Sequence, residues 1–151
     1  MKIALGSDHA AWQIKDKIKS LLQHKGWDAI DYGTKSGDSC DYPDFAASVS
    51  HAVAQGEADL GILLCGSGIG MSIAANKVKG IRAALCVNEE MAKLSRLHNN
   101  ANILCLGVRT FPDNWEKIVE TWLNTSFEGG RHQNRIDKIH NLESCSPHTK
   151  P

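Results

Sequence analysis

The sequence predicts an α/β protein, a five-stranded parallel sheet between two layers of helices in a three-layer, Rossmann-like α/β/α arrangement. Three observations predict it. Short apolar runs alternate with segments of helical periodicity along the chain. The runs are short enough to be strands buried on both faces, and Leu60 to Cys65 is the most apolar of them. A glycine-rich turn, Gly66 to Gly70, follows that run and opens a helical segment.

The elements follow in order. Lys2–Gly6 reads as the first strand. Ala10–Lys25 carries Trp12, Ile14, Ile18, Leu21 and Leu22 largely on one helical face, with Gly26 placed to end the helix. Trp27–Tyr32 is a second strand, and the polar stretch Gly33–Asp41 is a loop. Pro43 suits a helix start, and the segment through Phe45, Ala46, Val49 and Val53 runs to about Gln55. Asp59–Cys65 is the third strand, followed by a helix from about Met71 to Lys77. Ile81–Val87 reads as a strand, Glu89–Leu97 as a helix and Asn102–Leu106 as the fifth strand. Pro112–Leu123 is a helix containing Trp115, Ile118, Val119 and Trp122, and Arg131–Leu142 is the last. Residues 1–142 form one domain without internal repeat or linker. The polar tail 143–151, with two prolines, is expected to be disordered.

Composition excludes several classes of function. Net charge is zero with histidines neutral, so no global field draws the chain to nucleic acid or an anionic membrane. An anion site must therefore be a local cluster of positive charge. No apolar stretch approaches the length of a membrane span, and charged residues begin almost at the N-terminus, leaving no room for a signal-peptide core. A cytoplasmic protein is expected. The five cysteines are odd in number and none pair at CxxC spacing, so neither a metal or redox motif nor a disulfide framework is expected. Cys86 and Cys105 read as small buried hydrophobes, Cys40 and Cys145 as loop and tail residues. The four tryptophans, at 12, 27, 115 and 122, are assigned to the core.

In such sheets ligands bind at the carboxyl ends of the strands. Cys65-Gly66-Ser67-Gly68-Ile69-Gly70 stands there, where glycines free backbone amides to converge on an anion and a helix N-terminus adds partial positive charge. Cys65 just before the turn places a thiolate beside that hole. A base next to an oxyanion hole is the equipment for removing a proton α to a carbonyl. Spacing alone does not separate this from an inert thiol ending a buried strand. The dinucleotide fingerprint is absent: the turn follows the third strand with the wrong glycine spacing, and no Walker lysine follows it. Ser7-Asp8-His9 follows the first strand, where Asp8 or Ser7 suits a helix cap and His9 suits a ligand contact. His98, before Asn99 at a helix end, is either a dipole partner or a proton donor to a sugar ring oxygen. Arg131 and Arg135, four apart, share a helix face, either as a solvated basic face or, with Arg109, as a phosphate clamp.

These residues resemble a known family. Gly6-Ser7-Asp8-His9-Ala10, Asp41-Tyr42-Pro43, the run from Cys65 to Lys77, Gly80 to Ala84, Ser95 to Asn99 and Phe127 to Arg135 together resemble ribose-5-phosphate isomerase of the B type, in the family that also holds galactose- and allose-6-phosphate isomerases. The resemblance implies aldose–ketose isomerisation of ribose 5-phosphate and ribulose 5-phosphate, or of a hexose 6-phosphate. It implies Cys65 as the proton carrier and amides of Gly66, Ser67, Gly68, Ile69 and Gly70 around the enediolate. His98 would open the furanose ring. Asp8, His9 and Asn99 would contact the sugar, and Arg109, Arg131 and Arg135 the phosphate. It further implies no metal or other cofactor, and a homodimer or homotetramer with a shared active site. A non-catalytic phosphosugar- or nucleotide-binding module is the competing class. The sequence departs from the family at Ser67, where threonine is usual, and at Ala11-Trp12, where Gly-Phe is usual. Ala74-Ala75-Asn76 offers no carboxylate in the region where some relatives carry a glutamate base.

Overall fold

The computed structural model describes residues 1–110 and 114–144. Strands and helices alternate as β1 (Lys2–Ser7), α1 (Trp12–His24), β2 (Asp28–Asp31), α2 (Tyr42–Ala54), β3 (Leu60–Cys65), α3 (Ile69–Ala75), β4 (Ala83–Leu85), α4 (Glu89–Asn99) and β5 (Ile103–Gly107), followed by α5 (Trp115–Asn124) and α6 (Arg131–Leu142). The five strands pair in parallel in the order β2-β1-β3-β5-β4. Every residue of the central strands β3 and β5 is buried. This is why those two segments carry apolar side chains without polar alternation.

Alternation along the strands feeds two cores. Ile3, Leu5, Ile62 and Leu64 meet Ile18 and Leu22 of α1 and Ile118, Val119 and Trp122 of α5. Ala4, Leu63, Cys65 and Cys105 meet Ala46, Val49 and Val53 of α2 and Met71 of α3. The chain leaves β1 one way through α1 to β2, and reaches β3 on the other side through α2. The carboxyl ends of β1 and β3 thus flank a topological switch point, where open α/β sheets bind ligands.

Boundaries moved where tertiary structure overrode local pattern. The strand read as Ile81–Val87 contracts to Ala83–Leu85 at the sheet edge. There the Asn76 side chain stands in for a missing strand: its Nδ2 donates to the Ala83 carbonyl and its Oδ1 accepts from the Ala83 amide, each at 2.9 Å. Such protection blunts an exposed edge. Helix α3 begins at Ile69, two residues early, and ends at Ala75. Neither Ser7 nor Asp8 caps α1, whose N-cap is Ala11; Asp8 Oδ1 instead accepts from the Ala10 amide at 3.0 Å, closing a turn ahead of the helix. Trp115 and Trp122 lie in the core, whereas Trp12 and Trp27 are only half-buried. Pro112, Cys145 and the tail from 145 onward lie outside the described residues.

One buried charge organises the β1 side. Lys15 is fully buried and its Nζ meets both Asp31 oxygens, at 2.6 and 2.7 Å. Asp31 Oδ1 also accepts from the Gly33 amide at 2.9 Å. Burial by itself would raise the Asp31 pKa, but the Lys15 hydrogen bond, the Gly33 amide and the charges of Lys15 and Lys19 outweigh it and hold the carboxyl below its ordinary value. Removing one member of a buried pair strands the other. Lys15→Met is therefore expected to cost about 3 kcal/mol near neutral pH in urea unfolding. A lowered folded-state pKa contributes stability above the unfolded value of 3.8 and loses it as pH falls through the folded value. The difference between Lys15→Met and the parent should accordingly shrink as unfolding is repeated toward pH 3.

Candidate active site

The carboxyl ends of β1 and β3 frame a cavity of about 650 Å³ whose wall includes Asp8, His9, Tyr42, Cys65, Ser67 and Arg109. The β1 side is held by main chain. The Asp8 amide donates to the Leu64 carbonyl at 3.1 Å, the Ser7 amide to Gly33 O at 2.7 Å and the Thr34 amide to Ser7 O at 2.8 Å. His9 Nδ1 accepts from the Cys40 amide at 3.3 Å. That bond leaves Nδ1 unprotonated and assigns the ring proton to Nε2, so a neutral His9 has an N–H to offer a ligand.

On the β3 side, Cys65 is 5 % exposed and its Sγ accepts from the Gly68 amide at 3.1 Å. The turn can fold back this far because Gly68 adopts a left-handed conformation, φ 76°. A Cβ there would stand 2.5 Å from Leu85 Cδ1 and 2.9 Å from the Leu106 carbonyl carbon, so glycine alone fits. The Ile69 amide donates to Ser67 Oγ at 3.3 Å. Among the described residues no hydrogen bond engages the Gly66, Ser67 or Gly70 amides. The expected five-amide hole is thereby narrowed: the Gly68 amide serves the sulfur and the Ile69 amide serves Ser67.

Arg109 joins this side. Its amide donates to Gly66 O at 2.9 Å, and its guanidinium carbon lies 3.3 Å from where a Gly66 Cβ would stand. Tyr42 covers Gly70 so closely that a Cβ there would meet its ring carbons at 2.6 and 2.7 Å. The sequence assigns Tyr42 no site role, although Asp41-Tyr42-Pro43 is among the motifs that carry the family resemblance. Burial pushes Cys86 up to about 11 and pushes Cys105 higher still, as expected of inert core cysteines.

His98, Asn99, Arg131 and Arg135 do not join this cavity within one chain. The C-terminal end of α4 leads into the start of β5, so His98 and Asn99 lie at the opposite edge of the sheet, a strand length away, on the order of 15 Å. Helix α6 lies beside them. The His98 and His132 rings stack with centroids 4.2 Å apart and planes 9° apart. Arg135 Nη1 is 3.4 Å from His132 Nδ1. Glu128 Oε2 lies 3.9 Å from His98 Nε2 and 3.6 Å from His132 Nε2. Desolvation, then the neighbouring His98 and Arg131 charges, lower the His132 pKa, so it stays neutral near pH 7. These two histidines and Glu128 are near enough for one ion, but the stacked rings hold their lone pairs in separate, near-parallel planes that do not meet at one point. His132 and Glu128 escaped the sequence reading because a stack between α4 and α6 has no signature in spacing.

Comparison with known proteins agrees with this geometry. The family model described as Ribose/Galactose Isomerase matches residues 3–139. Ribose-5-phosphate isomerase B of Escherichia coli is 48% identical, over 94% of this chain and 96% of its own. The structure of Clostridium thermocellum ribose-5-phosphate isomerase B superposes with a TM-score of 0.94 at 52% identity, covering 95% of this chain and 98% of that one. Ribose-5-phosphate isomerase B from Mycoplasma genitalium, solved with bound ribulose-5-phosphate, superposes with a TM-score of 0.91 at 46% identity over 96% of this chain and 97% of its own. With a glycine turn around a cysteine at the switch point and a family match along nearly the whole described chain, this protein belongs to the ribose/galactose isomerase family.

Proposed function

We propose that this chain is an aldose–ketose isomerase that interconverts D-ribose 5-phosphate and D-ribulose 5-phosphate through a cis-enediolate. The observation that carries the reading is Cys65 Sγ, held by the Gly68 amide beside the Ser67 and Gly70 amides at the cavity wall. The Escherichia coli relative and the Mycoplasma genitalium structure with ribulose-5-phosphate support the choice of a pentose phosphate.

The chemistry follows from the groups present. A Cys65 thiolate removes the C2 proton of the open-chain aldose and becomes a thiol. The C2 electrons form the C1–C2 double bond, and the carbonyl pair moves onto O1, where backbone N–H groups meet the negative charge. The proton on O2 passes to O1. The electrons then return, the thiol protonates C1, and the ketose leaves with Cys65 again a thiolate. Asp8 accepts from sugar hydroxyls, and the Nε2–H of His9 donates to a sugar oxygen. The Arg109 guanidinium pairs with the phosphate. The reaction needs a thiol kept reduced, which suits the cytoplasm. Among the described residues no helix is long and apolar enough to cross a membrane.

Ring opening by His98, sugar contact by Asn99 and phosphate binding by Arg131 and Arg135 need these groups over the Cys65 cavity, and their own chain keeps them at the far sheet edge. A homodimer, or a homotetramer built from such pairs, resolves this when the α4–α6 end of one copy closes the cavity of the other. The exposed apolar residues Ile69 and Ile73, on α3 beside the cavity, suit such a contact.

Cys65→Ser should lower kcat by about 10³-fold with an unchanged melting temperature; turnover near the parent rate would sink the assignment. Thiol alkylation is a fair test only in a Cys40→Ser background, since Cys40 is the one described cysteine not buried and its amide holds His9. Assays with ribose 5-phosphate, allose 6-phosphate and galactose 6-phosphate separate pentose from hexose preference; binding without turnover of any of them would favour a non-catalytic module. Arg131→Ala/Arg135→Ala should raise KM about tenfold or more. Mixed and reassembled in equal amounts, Cys65→Ser and Arg131→Ala/Arg135→Ala chains should recover about a quarter of parent activity, since half the dimers then hold one intact site. No recovery in subunits shown to exchange would exclude a shared site.

A further inference from the structure

We propose that Arg82, which belongs to neither half of the proposed site, is the positioning residue that sets α6 against α4 and so places His98, Asn99, Arg131 and Arg135 relative to one another. Its Nε donates to the carbonyl of Asn99 at 3.1 Å and of Asn100 at 3.0 Å, closing the C-terminal end of α4 one residue beyond His98. Its Nη1 meets His140 Nε2 of α6 at 2.8 Å. The half-buried guanidinium thus joins two helix ends through separate nitrogens of one planar group. Its own backbone is fixed too: the Arg82 amide donates to Asn102 Oδ1 at 2.8 Å, and Asn102 Nδ2 donates to Gly80 O at 2.9 Å.

Helix α6 needs such a fastening. Only His132 and Ile136 are buried along it. His132, Ile136 and His140 are spaced by four and form one stripe, with His132 stacked on His98 at one end and His140 on Arg82 at the other. The two contacts are about 12 Å apart along the helix. The Gly80 amide adds a hold just past the helix, donating to Glu143 Oε1 at 2.9 Å; the contacts at the two ends together determine the direction of the helix axis. Arg131 and Arg135 flank the stripe and are exposed, so their placement follows from that axis. Arginine is always charged and only donates, so His140 must accept at Nε2 and carry its proton on Nδ1. Lysine, with one nitrogen, cannot span the two carbonyls and the imidazole in the same plane.

The inference rests on the proposed roles of His98 and the two arginines, and the experiment separates the two. His140→Gln keeps an acceptor near the Nε2 position; His140→Leu removes it; Arg82→Lys and Arg82→Met remove the fork. The His98 and His132 ring proton shifts report the stack by NMR whatever the reaction, and steady-state kinetics with ribose 5-phosphate report the site, both read well below each variant's melting temperature. His140→Leu should move both histidines' ring shifts and raise KM fivefold or more with kcat within twofold, since it loosens α6 alone. Arg82→Lys and Arg82→Met should also lower kcat, since they release the end of α4. His140→Gln should restore the parent values. Unmoved ring shifts in Arg82→Met and His140→Leu, or a His140→Gln variant no better than His140→Leu, would overturn the proposal. Shifts that move while KM ignores both His140→Leu and Arg131→Ala/Arg135→Ala would uphold the positioning and reject the phosphate role of the arginines.

Discussion

The proposed catalytic edge depends on the left-handed turn at Gly68. The chain leaves a fully buried strand and must start a helix within a few residues. Leu85, Leu106 and Gly107 crowd the inside of that turn, so no side chain fits there. Folding back this tightly directs the Gly68 amide at Cys65 Sγ, 3.1 Å away. Among the described residues the Gly66, Ser67 and Gly70 amides keep no hydrogen-bond partner, and they neighbour the proposed base. The proposed base and oxyanion site are therefore one local object, made by a strand end and a glycine.

Around that object the molecule spends polar groups to hold backbone in place rather than to meet ligand. Lys15 and Asp31 are buried together and pass their constraint through the Gly33 amide to the main-chain pairing of Gly33 and Thr34 with Ser7, and so to Asp8. Arg82 does the comparable work at the opposite edge, linking the end of α4 to α6. Lys15 is removed from water and Arg82 partly so, an arrangement that costs desolvation and is tolerated when the partner geometry is complete. Both also join segments distant in sequence, which raises the cost of losing either.

The distribution of functional groups over two edges has a physical consequence. A parallel sheet with helical crossovers puts every strand's carboxyl end on one side, so groups at helix C-termini necessarily lie on the other. Cys65, Asp8, His9 and Arg109 belong to the first class; His98 and Asn99 belong to the second, with Arg131 and Arg135 beside them. No side chain spans that separation. The proposed reaction, which needs both classes, is thereby tied to the proposed assembly, for which the cavity wall beside the exposed Ile69 and Ile73 is the suited surface.

The sequence by itself determined the layered α/β class, the position of Cys65 at a strand end and the turn after it. Those features are written locally, in the alternation of apolar runs and helical periods and in the glycines at 66, 68 and 70. The span of α6 was likewise legible, as Arg131–Leu142. Only the tertiary structure decided which candidates share a site. Spacing within a helix shows that Arg131 and Arg135 are neighbours, yet it carries no information on which edge of the sheet they reach. The His98–His132 stack, the Tyr42 wall over Gly70 and the Arg82 clamp were invisible for the same reason: each contact joins residues at least 17 positions apart, and such pairs are set by how whole helices lie on the sheet. The turn at Cys65 was readable because its physics is contained in a few consecutive residues; the remainder of the site was not, because its physics belongs to packing.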